Sequence, residues 1–370
     1  MKNNRWEWIL LFCALPISLF GLTAMSSFLA GDSYLFKQSI WIFLGCIVYF
    51  VISKMDMSFI RNTKAVLFFY ALTNLMLVAT LFLGNVVKGA KAWVSFAGVS
   101  LQPADFAKLA LIILLAKYFS KRHVEIKQLR HLFVSLAYTA VPIFLVMLQP
   151  DFGSAMVLLG IWFVMVLASG LSKKHLFIMI GLGVVAVAVM WLFVFKEYQK
   201  ARLLNFVDPA RDIRGSGYNV FQAEIAIGSG QILGKGVGYG TQSRLSFLPE
   251  HETDFIFAAF AEEWGFVGVV LVLILFGTLC ARLLISAYRA RNNFEALLAM
   301  GVLGFIFIHV TINIGMNLAL LPVTGIPLPF MSYGGSHILL DYISIGLVAS
   351  FAGSYSDLRR SSKNEFLGLE

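Results

Sequence analysis

Ten apolar runs, most of them separated by short polar segments, restrict how this 370-residue chain can fold more than any other feature. Only 13% of its residues are charged, whereas soluble domains carry about 25% charge. A membrane-spanning helix needs about 20 mostly apolar residues. The pattern therefore predicts an all-α polytopic membrane protein with about ten transmembrane helices. The runs lie at about 8–25, 39–53, 65–84, 104–119, 131–148, 153–170, 175–195, 255–281, 297–318 and 338–354.

The cations between the runs predict how the chain is oriented. Lys and Arg are enriched in the cytoplasmic loops of membrane proteins, and long outer loops escape this rule. With the N-terminus inside, most of the 29 Lys and Arg residues fall on the cytoplasmic side. Both termini are therefore predicted to be cytoplasmic, and residues 1–370 to form a single integral membrane domain. The net charge of +9 is explained by this arrangement and does not indicate a nucleic-acid partner.

One large extracytoplasmic loop, residues 196–254, is predicted between spans seven and eight. Its glycine-rich part is interpreted either as a flexible connector or as an anion- or sugar-binding shelf on the membrane. Loops of this length are uncommon unless they are functional, which favours the shelf. The next run, 255–281, is longer than one span, so its beginning is predicted to be a partly embedded or angled segment.

An acidic segment ends this loop and runs directly into the eighth apolar run. It reads Glu250-His251-Glu252-Thr253-Asp254 and is followed by Phe255. A carboxylate at a water–lipid boundary is costly without a use, so Asp254 is a candidate functional residue. The alternating acids are compatible with a divalent cation such as Mg²⁺ or Mn²⁺. Alternation alone does not define a metal site, because ion sites draw ligands from several elements.

Other charged residues are predicted to lie at the same outer level as Asp254. Asp105 and Lys108 are spaced i, i+3 at the start of the fourth run, and Asp151 lies in the turn between the fifth and sixth. Charges in such places indicate function, although a purely structural Asp105–Lys108 pair is an equally good interpretation.

Two further acidic positions and one broken segment complete the candidates. Glu262 and Glu263 either approach the face of Asp254 or join helices by hydrogen bonds. His337 and Asp341, spaced i, i+4, are expected to pair. The prolines and glycines of 322–335 break helicity and predict a cavity wall on the outer side.

Several stretches, in order along nearly the whole chain, resemble the SEDS family (shape, elongation, division and sporulation proteins), and within it the RodA branch. They include QPADFAK at 102–108, QPDFG at 149–153, the long stretch 222–265, and LPVTGIPLPF at 321–330. The resemblance implies a peptidoglycan glycosyltransferase of the bacterial cytoplasmic membrane that polymerises lipid II on the outer face during cell elongation. It also implies a class B penicillin-binding transpeptidase and the elongation machinery as partners.

The resemblance also assigns roles to individual residues. Asp254 would be the catalytic general base. The implied substrate-binding residues are Lys108, Asp105, Asp151, Arg202, Gln222 and Lys91. Three positions depart from the family pattern, and they leave the details of the pocket open. Asp105 replaces the usual Glu, Ala92 replaces an Arg for which Lys91 compensates, and Glu252 stands where His is common.

The residue types fit this chemistry. A boundary carboxylate can take the proton of an attacking sugar hydroxyl, and cations can offset charge on a departing pyrophosphate. Two alternatives stay open from the sequence. One is a flippase or other transporter of the same lipid, because many spans and broken helices also suit carriers. The other is a non-catalytic scaffold for the transpeptidase.

Overall fold

Helices make up most of the structure, which is a computed structural model. It describes residues 5–28, 31–87, 90–96, 99–121, 129–170, 174–179, 181, 183, 191–192, 200, 204, 206, 216–245 and 247–366. The helices are α1 (Arg5–Met25), α2 (Gly31–Lys54), α3 (Thr63–Leu83), α4 (Pro103–Ser120), α5 (Leu129–Leu148), α6 (Phe152–Ala168), α7 (Ser216–Gly230), α8 (Thr241–Arg244), α9 (Ile256–Tyr288), α10 (Asn293–Asn317) and α11 (Gly335–Phe366). A short 3₁₀ helix, Met57–Arg61, lies between α2 and α3.

Six of the described helices are long and apolar enough to cross a membrane: α1, α2, α3, α5, α9 and α10. Helix α6 and the first part of α11 are apolar but shorter. Helix α4 carries three charged residues, Asp105, Lys108 and Lys117. The structure therefore agrees with a multi-pass membrane protein. The predicted seventh run, 175–195, falls largely outside the described residues, so the count of ten spans stays a prediction.

Helix α4 forms the centre of the bundle. Most of its side chains are buried, including both charged residues of its first two turns, Asp105 and Lys108. Helices α3, α5, α6, α10 and α11 pack around it. A helix that is mostly apolar on every side is expected in such a central position. The outer helices instead expose large apolar side chains such as Phe43, Phe68 and Phe144, which suits contact with lipid.

A small antiparallel sheet joins α3 to α4 and corrects the prediction of an all-α chain. Strand β1 (Asn85–Val87) pairs with β2 (Ala90–Phe96), and β2 pairs with β3 (Val99–Leu101). Trp93 and Val94 are residues that favour strands. The sequence analysis missed the sheet because its strands are short and lie between two strong helical runs.

Helix α9 is broken at Gly265, which has a non-helical backbone (φ 62°, ψ −165°). The break agrees with an angled beginning of this run, and the alternative of a partly embedded segment stays a prediction. A break in a helix leaves the backbone N–H groups that follow it without their usual acceptors, which are the carbonyls four residues earlier. The loop fills this need, because Phe266 N donates to Gln231 O at 2.9 Å and Val267 N donates to Ile232 O at 3.1 Å.

The glycine-rich part of the loop, residues 231–240, is held against the first segment of α9. Lys235 N donates to Glu262 O and Gly236 N donates to Glu263 O, both at 3.0 Å. Gly234 has φ 81°, and a Cβ there would collide with the Glu263 carbonyl. The flexible-connector interpretation is therefore wrong for these residues. The shelf interpretation stays a prediction.

Candidate functional site

Asp254 lies two residues before the start of α9, where this helix meets α10. The side-chain amides of Asn313 and Asn317 both donate to the Asp254 backbone carbonyl at 3.0 Å. The Asp254 side chain is partly exposed, and its Oδ2 lies 3.5 Å from the position that a Cβ on Gly325 would occupy. Gly325 has φ 74°, a conformation that side chains rarely adopt. Backbone bonds thus fix Asp254, and a glycine makes room for its carboxylate.

The segment between α10 and α11, here called the return loop (residues 318–334), holds the acidic segment from the other side. Ser332 Oγ donates to Thr253 O at 2.6 Å, and Tyr333 N donates to Glu252 O at 2.8 Å. The Ser332 hydroxyl also accepts from Leu328 N at 2.8 Å. The predicted break in helicity is confirmed here. These bonds show that the broken backbone also positions the residues next to Asp254.

Glu252, one of the three departures from the family pattern, makes specific contacts. Its carboxylate accepts from the hydroxyl of Tyr34 at 3.2 Å and lies 3.8 Å from His251 Nε2. The rings of Tyr34 and Tyr333 meet edge to face at 4.9 Å. Burial, and then the charge of Glu252, raise the pKa of Tyr333 above its usual range. Tyr333 is therefore a protonated phenol at neutral pH.

A buried ionic cluster, formed by Asp105, Lys108, Ser336, His337 and Asp341, lies between α4 and α11. Lys108 Nζ donates to Asp105 Oδ1 at 3.0 Å, and Ser336 Oγ donates to Asp105 Oδ2 at 3.3 Å. His337 Nε2 lies 3.6 Å from Asp341 Oδ2. The expected pairing within each helix is therefore confirmed. Asp105 and Lys108 are each 2% exposed, so this pair is shielded from water.

Asp151 is connected to this cluster through Gln102. Its Oδ1 accepts from Ser154 N at 2.9 Å and thereby caps α6, while its Oδ2 accepts from Gln102 Nε2 at 3.0 Å. The backbone N–H of Gln102 donates to Ser336 Oγ at 3.4 Å. The sequence analysis did not single out Gln102, which links the turn before α6 to the start of α11.

The return loop brings these groups to one end of the bundle. Gly153 packs so closely on Thr324 that a Cβ added to Gly153 would collide with the carbonyl oxygen of Thr324. Phe330 N donates to Asp341 Oδ2 at 2.8 Å. The same loop carries Gly325 beside Asp254. Asp105, Asp151 and Asp254 thus lie at one end of the bundle, as predicted.

Helix α10 contributes a polar stripe that the sequence analysis missed. His309, Asn313 and Asn317 are spaced by four residues and are all fully buried. His309 Nδ1 contacts Pro327 O at 3.2 Å, and its ring stacks on that of His337 at 5.1 Å. Polar residues repeating at i, i+4 and i+8 in an apolar helix are the signal that could have identified this stripe.

The remaining predicted substrate-binding residues are not brought into these contacts. Lys91 lies on β2, where its ammonium donates to Phe82 O at 3.2 Å, and Ala92 beside it is buried. Gln222 lies on α7, and its buried Oε1 has no partner within the described residues. Arg202 falls outside the described residues.

Glu262 anchors the loop and takes the second of its two predicted roles, because it joins α9 to the short helix α8 by hydrogen bonds. Its carboxylate is fully buried and accepts from Lys235 Nζ and Thr241 N, both at 2.8 Å. It also accepts from the backbone N–H groups of Gln242 and Ser243, so it caps helix α8. Glu263 behaves similarly, since its Oε1 accepts from the backbone of the same glycine-rich segment.

The acidic residues near Asp254 do not form a metal site by geometry. Within the described residues, no group of three or more His, Cys, Asp or Glu side chains is arranged to hold a metal ion. The alternating Glu250, Glu252 and Asp254 therefore give no evidence for a resident cation, and whether Mg²⁺ or Mn²⁺ takes part stays a matter for assay.

Comparison with known proteins places this arrangement in a family. The family described as "Cell cycle protein", which groups FtsW, RodA and SpoVE, matches residues 7–356. The peptidoglycan glycosyltransferase MrdB of Escherichia coli K12 is 41% identical over 288 residues, which are 76% of each chain.

Two solved structures share the fold. One, titled "Structural coordination of polymerization and crosslinking by a peptidoglycan synthase complex", has a TM-score of 0.81 at 31% identity and covers 94% of this chain and 98% of the other. The crystal structure of the rod shape determining protein RodA of Thermus thermophilus has a TM-score of 0.70 at 28% identity, covering 95% and 96%. The resemblance seen in the sequence is therefore confirmed, and the chain belongs to the FtsW, RodA and SpoVE family of cell cycle proteins.

Proposed function

We propose that this protein is a peptidoglycan glycosyltransferase that polymerises lipid II, with Asp254 as the general base. The observation that carries the proposal is the placement of Asp254. Its backbone is fixed by two amides of α10, and its carboxylate is partly exposed beside a glycine of the return loop. The name of the Escherichia coli relative supports the activity.

The reaction joins a sugar hydroxyl of one lipid-linked chain to the anomeric carbon of another. A new carbon–oxygen bond forms, the bond from the anomeric carbon to the lipid pyrophosphate breaks, and the hydroxyl proton passes to Asp254. A hydroxyl is a weak nucleophile, and a positioned base typically accelerates such a step by about 10²–10⁴. The departing pyrophosphate carries negative charge, so a positive environment stabilises it.

The other predicted site residues have supporting roles in this proposal. Lys108 supplies positive charge behind the return loop, and Asp105 fixes the direction of its ammonium group. Asp151 orients Gln102 at the same end of the bundle. Arg202, Gln222 and Lys91 are assigned to substrate binding on the family pattern alone.

The topology is part of the proposal. Ten spans, cytoplasmic termini and an outer loop 196–254 in the cytoplasmic membrane would place Asp254 on the face where peptidoglycan is built. The distribution of cations supports it. Single cysteines at Tyr239 in the loop and Tyr288 at the far end of α9, which are 72% and 91% exposed, test it. An impermeant thiol reagent on intact spheroplasts should label the first and spare the second, and the reverse result would overturn the topology.

A class B penicillin-binding transpeptidase of the elongation machinery is the proposed partner. The similar structure titled for a peptidoglycan synthase complex describes coordinated polymerization and crosslinking, which supports a cross-linking enzyme beside this one. Co-purification of the full chain with candidate transpeptidases from the same cell tests this point.

Reconstitution of the purified protein with lipid II tests the activity directly. Glycan strands formed without any other enzyme are expected, and divalent cations should be varied in the same assay. Translocation of lipid II without polymer would favour the transporter. Polymer only when a transpeptidase with its own polymerase is added would favour the scaffold.

A further inference from the structure

The imidazole of His337 lies between two carboxylates, with one ring nitrogen directed at each. Nδ1 is 3.9 Å from Asp105 Oδ1, and Nε2 is 3.6 Å from Asp341 Oδ2. Within the described residues, neither ring nitrogen has a hydrogen-bond partner, and neither has Asp341 Oδ1. A neutral imidazole has one N–H, whereas an imidazolium has two and can serve both carboxylates. The arrangement therefore suits a bound proton.

The charges of the buried ionic cluster lead to the same conclusion. Asp105 and Asp341 together would carry two negative charges, and Lys108 carries one positive charge. A net charge in a site this deeply buried is strongly unfavourable. One proton, held by His337 or by Asp341, makes the cluster neutral. The cluster thus holds one proton at rest and has room for a second, because both of these groups can be protonated together.

The groups that face His337 and Asp341 come from several helices. They are Asp105 and Lys108 on α4, His309 on α10 and Tyr342 on α11. The Tyr342 hydroxyl is in turn contacted by Cys46 of α2 and Ser18 of α1. Burial and the charge of Lys108 oppose protonation of His337, and the charge of Asp105 favours it, so a further negative charge nearby would favour uptake of a proton.

The return loop connects this site to Asp254. Phe330 N donates to Asp341 Oδ2, and Pro327 O contacts His309, which stacks on His337. Gly325, in the same loop, lies beside the Asp254 carboxylate. In an apolar interior a charge placed at this loop is felt strongly by its neighbours. We propose that His337 and Asp341 form a proton-binding site that takes up a second proton when a pyrophosphate anion binds beside Asp254.

This inference rests on the proposed function only for the place where the anion binds. Isothermal titration of farnesyl pyrophosphate into the full chain in detergent, in two buffers of different ionisation enthalpy, counts the protons exchanged. For each ligand bound, the wild-type protein should take up about one more proton than the His337→Gln or Asp341→Asn variant does. The ligand's own protonation is common to all of them and cancels. Inorganic pyrophosphate in a parallel titration distinguishes lipid-linked from free anion.

His131→Gln is the matched control. His131 is also buried, its Nδ1 lies 3.0 Å from the Tyr118 hydroxyl, and it lies near the start of α5 away from the cluster. This variant should keep the wild-type proton count. An infrared difference spectrum of the wild type alone gives a measurement that does not depend on folding of variants. Ligand addition should add either the carbonyl stretch of a protonated carboxyl group or the bands of an imidazolium, depending on whether Asp341 or His337 takes up the second proton.

The outcomes separate the two proposals. Equal proton counts in wild type and the two cluster variants, no binding by wild type, or no infrared change would each overturn the proton-binding site. Lipid II polymerisation by the same preparation is scored separately. Polymerisation without extra proton uptake would leave the glycosyltransferase standing and remove this inference. Proton uptake without polymerisation would do the opposite.

Discussion

Two carboxylates at the ends of the same short segment, Asp254 and Glu262, are held in opposite ways. Glu262 is fully buried, and its oxygens accept from Lys235 and from three backbone N–H groups of α8. Asp254 is fixed through its backbone carbonyl and keeps its carboxylate at a partly exposed surface. The surroundings therefore give one carboxylate a structural role and make the other suitable for proton transfer.

The largest expected effect comes from Asp254→Asn, which keeps size and hydrogen bonding but removes the base. Because the amides of α10 bind the backbone, the variant should fold normally. Its polymerisation rate should fall by about 10²–10⁴. The measurement is glycan formation from lipid II by purified protein.

Asp56→Asn is the matched control, since Asp56 caps the 3₁₀ helix after α2 and the substitution is chemically identical. It should polymerise at close to the wild-type rate. A nearly active Asp254→Asn would overturn the assignment of Asp254 as the base, because Asn keeps the size and hydrogen bonding of Asp but cannot take up the proton.

Glu262→Gln should have the opposite effect to Asp254→Asn: the folded protein should be less stable, and its catalytic activity should be unchanged. The amide cannot accept from Lys235 and the α8 backbone as the carboxylate does, and hydrogen bonds to a charged group contribute about 1.5–3 kcal/mol. A lower midpoint of thermal unfolding is expected, with normal activity per folded molecule. Glu224→Gln, an exposed acid on α7, should change neither. Full stability with lost activity would place Glu262 in the catalytic machinery.

Gly234→Ala tests whether the loop depends on close backbone contact with α9. Its positive φ and the collision with the Glu263 carbonyl should together cost about 1–3 kcal/mol. Gly238→Ala is the comparison, because Gly238 has φ 84° but nothing within 4 Å of the added Cβ. Thermal unfolding should be lowered more by the first substitution. Equal shifts of the unfolding midpoint in the two variants would mean that only the backbone strain of the positive φ matters. The contact between Gly234 and α9 would then contribute nothing.

Asn317→Ala should lower activity far less than Asp254→Asn does. Asn313 still donates to the Asp254 carbonyl, so the carboxylate is displaced only slightly. A loss of about tenfold in turnover is expected, since small misplacements of catalytic groups are costly. Asn74→Ala removes an amide that donates to Tyr70 O on α3, away from the site, and serves as control. An unchanged rate in Asn317→Ala would show that Asn313 alone positions Asp254.

The helices of the fold were predictable from the sequence where an apolar run is long. The run at 104–119 corresponds closely to α4. The length of the run at 255–281 predicted an irregular beginning but not the position of the break, which lies at Gly265. The sheet between α3 and α4 was not predictable. Its strands have only three to seven residues, so their alternating pattern is too short to stand out beside the neighbouring helices.

The site was predictable as far as charge and spacing define it. Asp105 with Lys108, and His337 with Asp341, pair as their intervals require. The amides of α10 were missed because a neutral Asn in an apolar run is far less costly than a charge, and its partner is distant in sequence. The role of Glu262 depends on a loop that reaches it only through tertiary contact.

The polar stripe of α10 has a consequence for the order in which the protein is assembled. Asn313 and Asn317 find one acceptor at Asp254, which is synthesised earlier, while Asn313 finds another at Ile326, which is synthesised later. The return loop is in turn fixed by Asp341 of the last helix. The return loop therefore has all of these contacts only after α11 has been added to α10. The helix that follows the loop in sequence thus completes the surroundings of a carboxylate that was synthesised well before it.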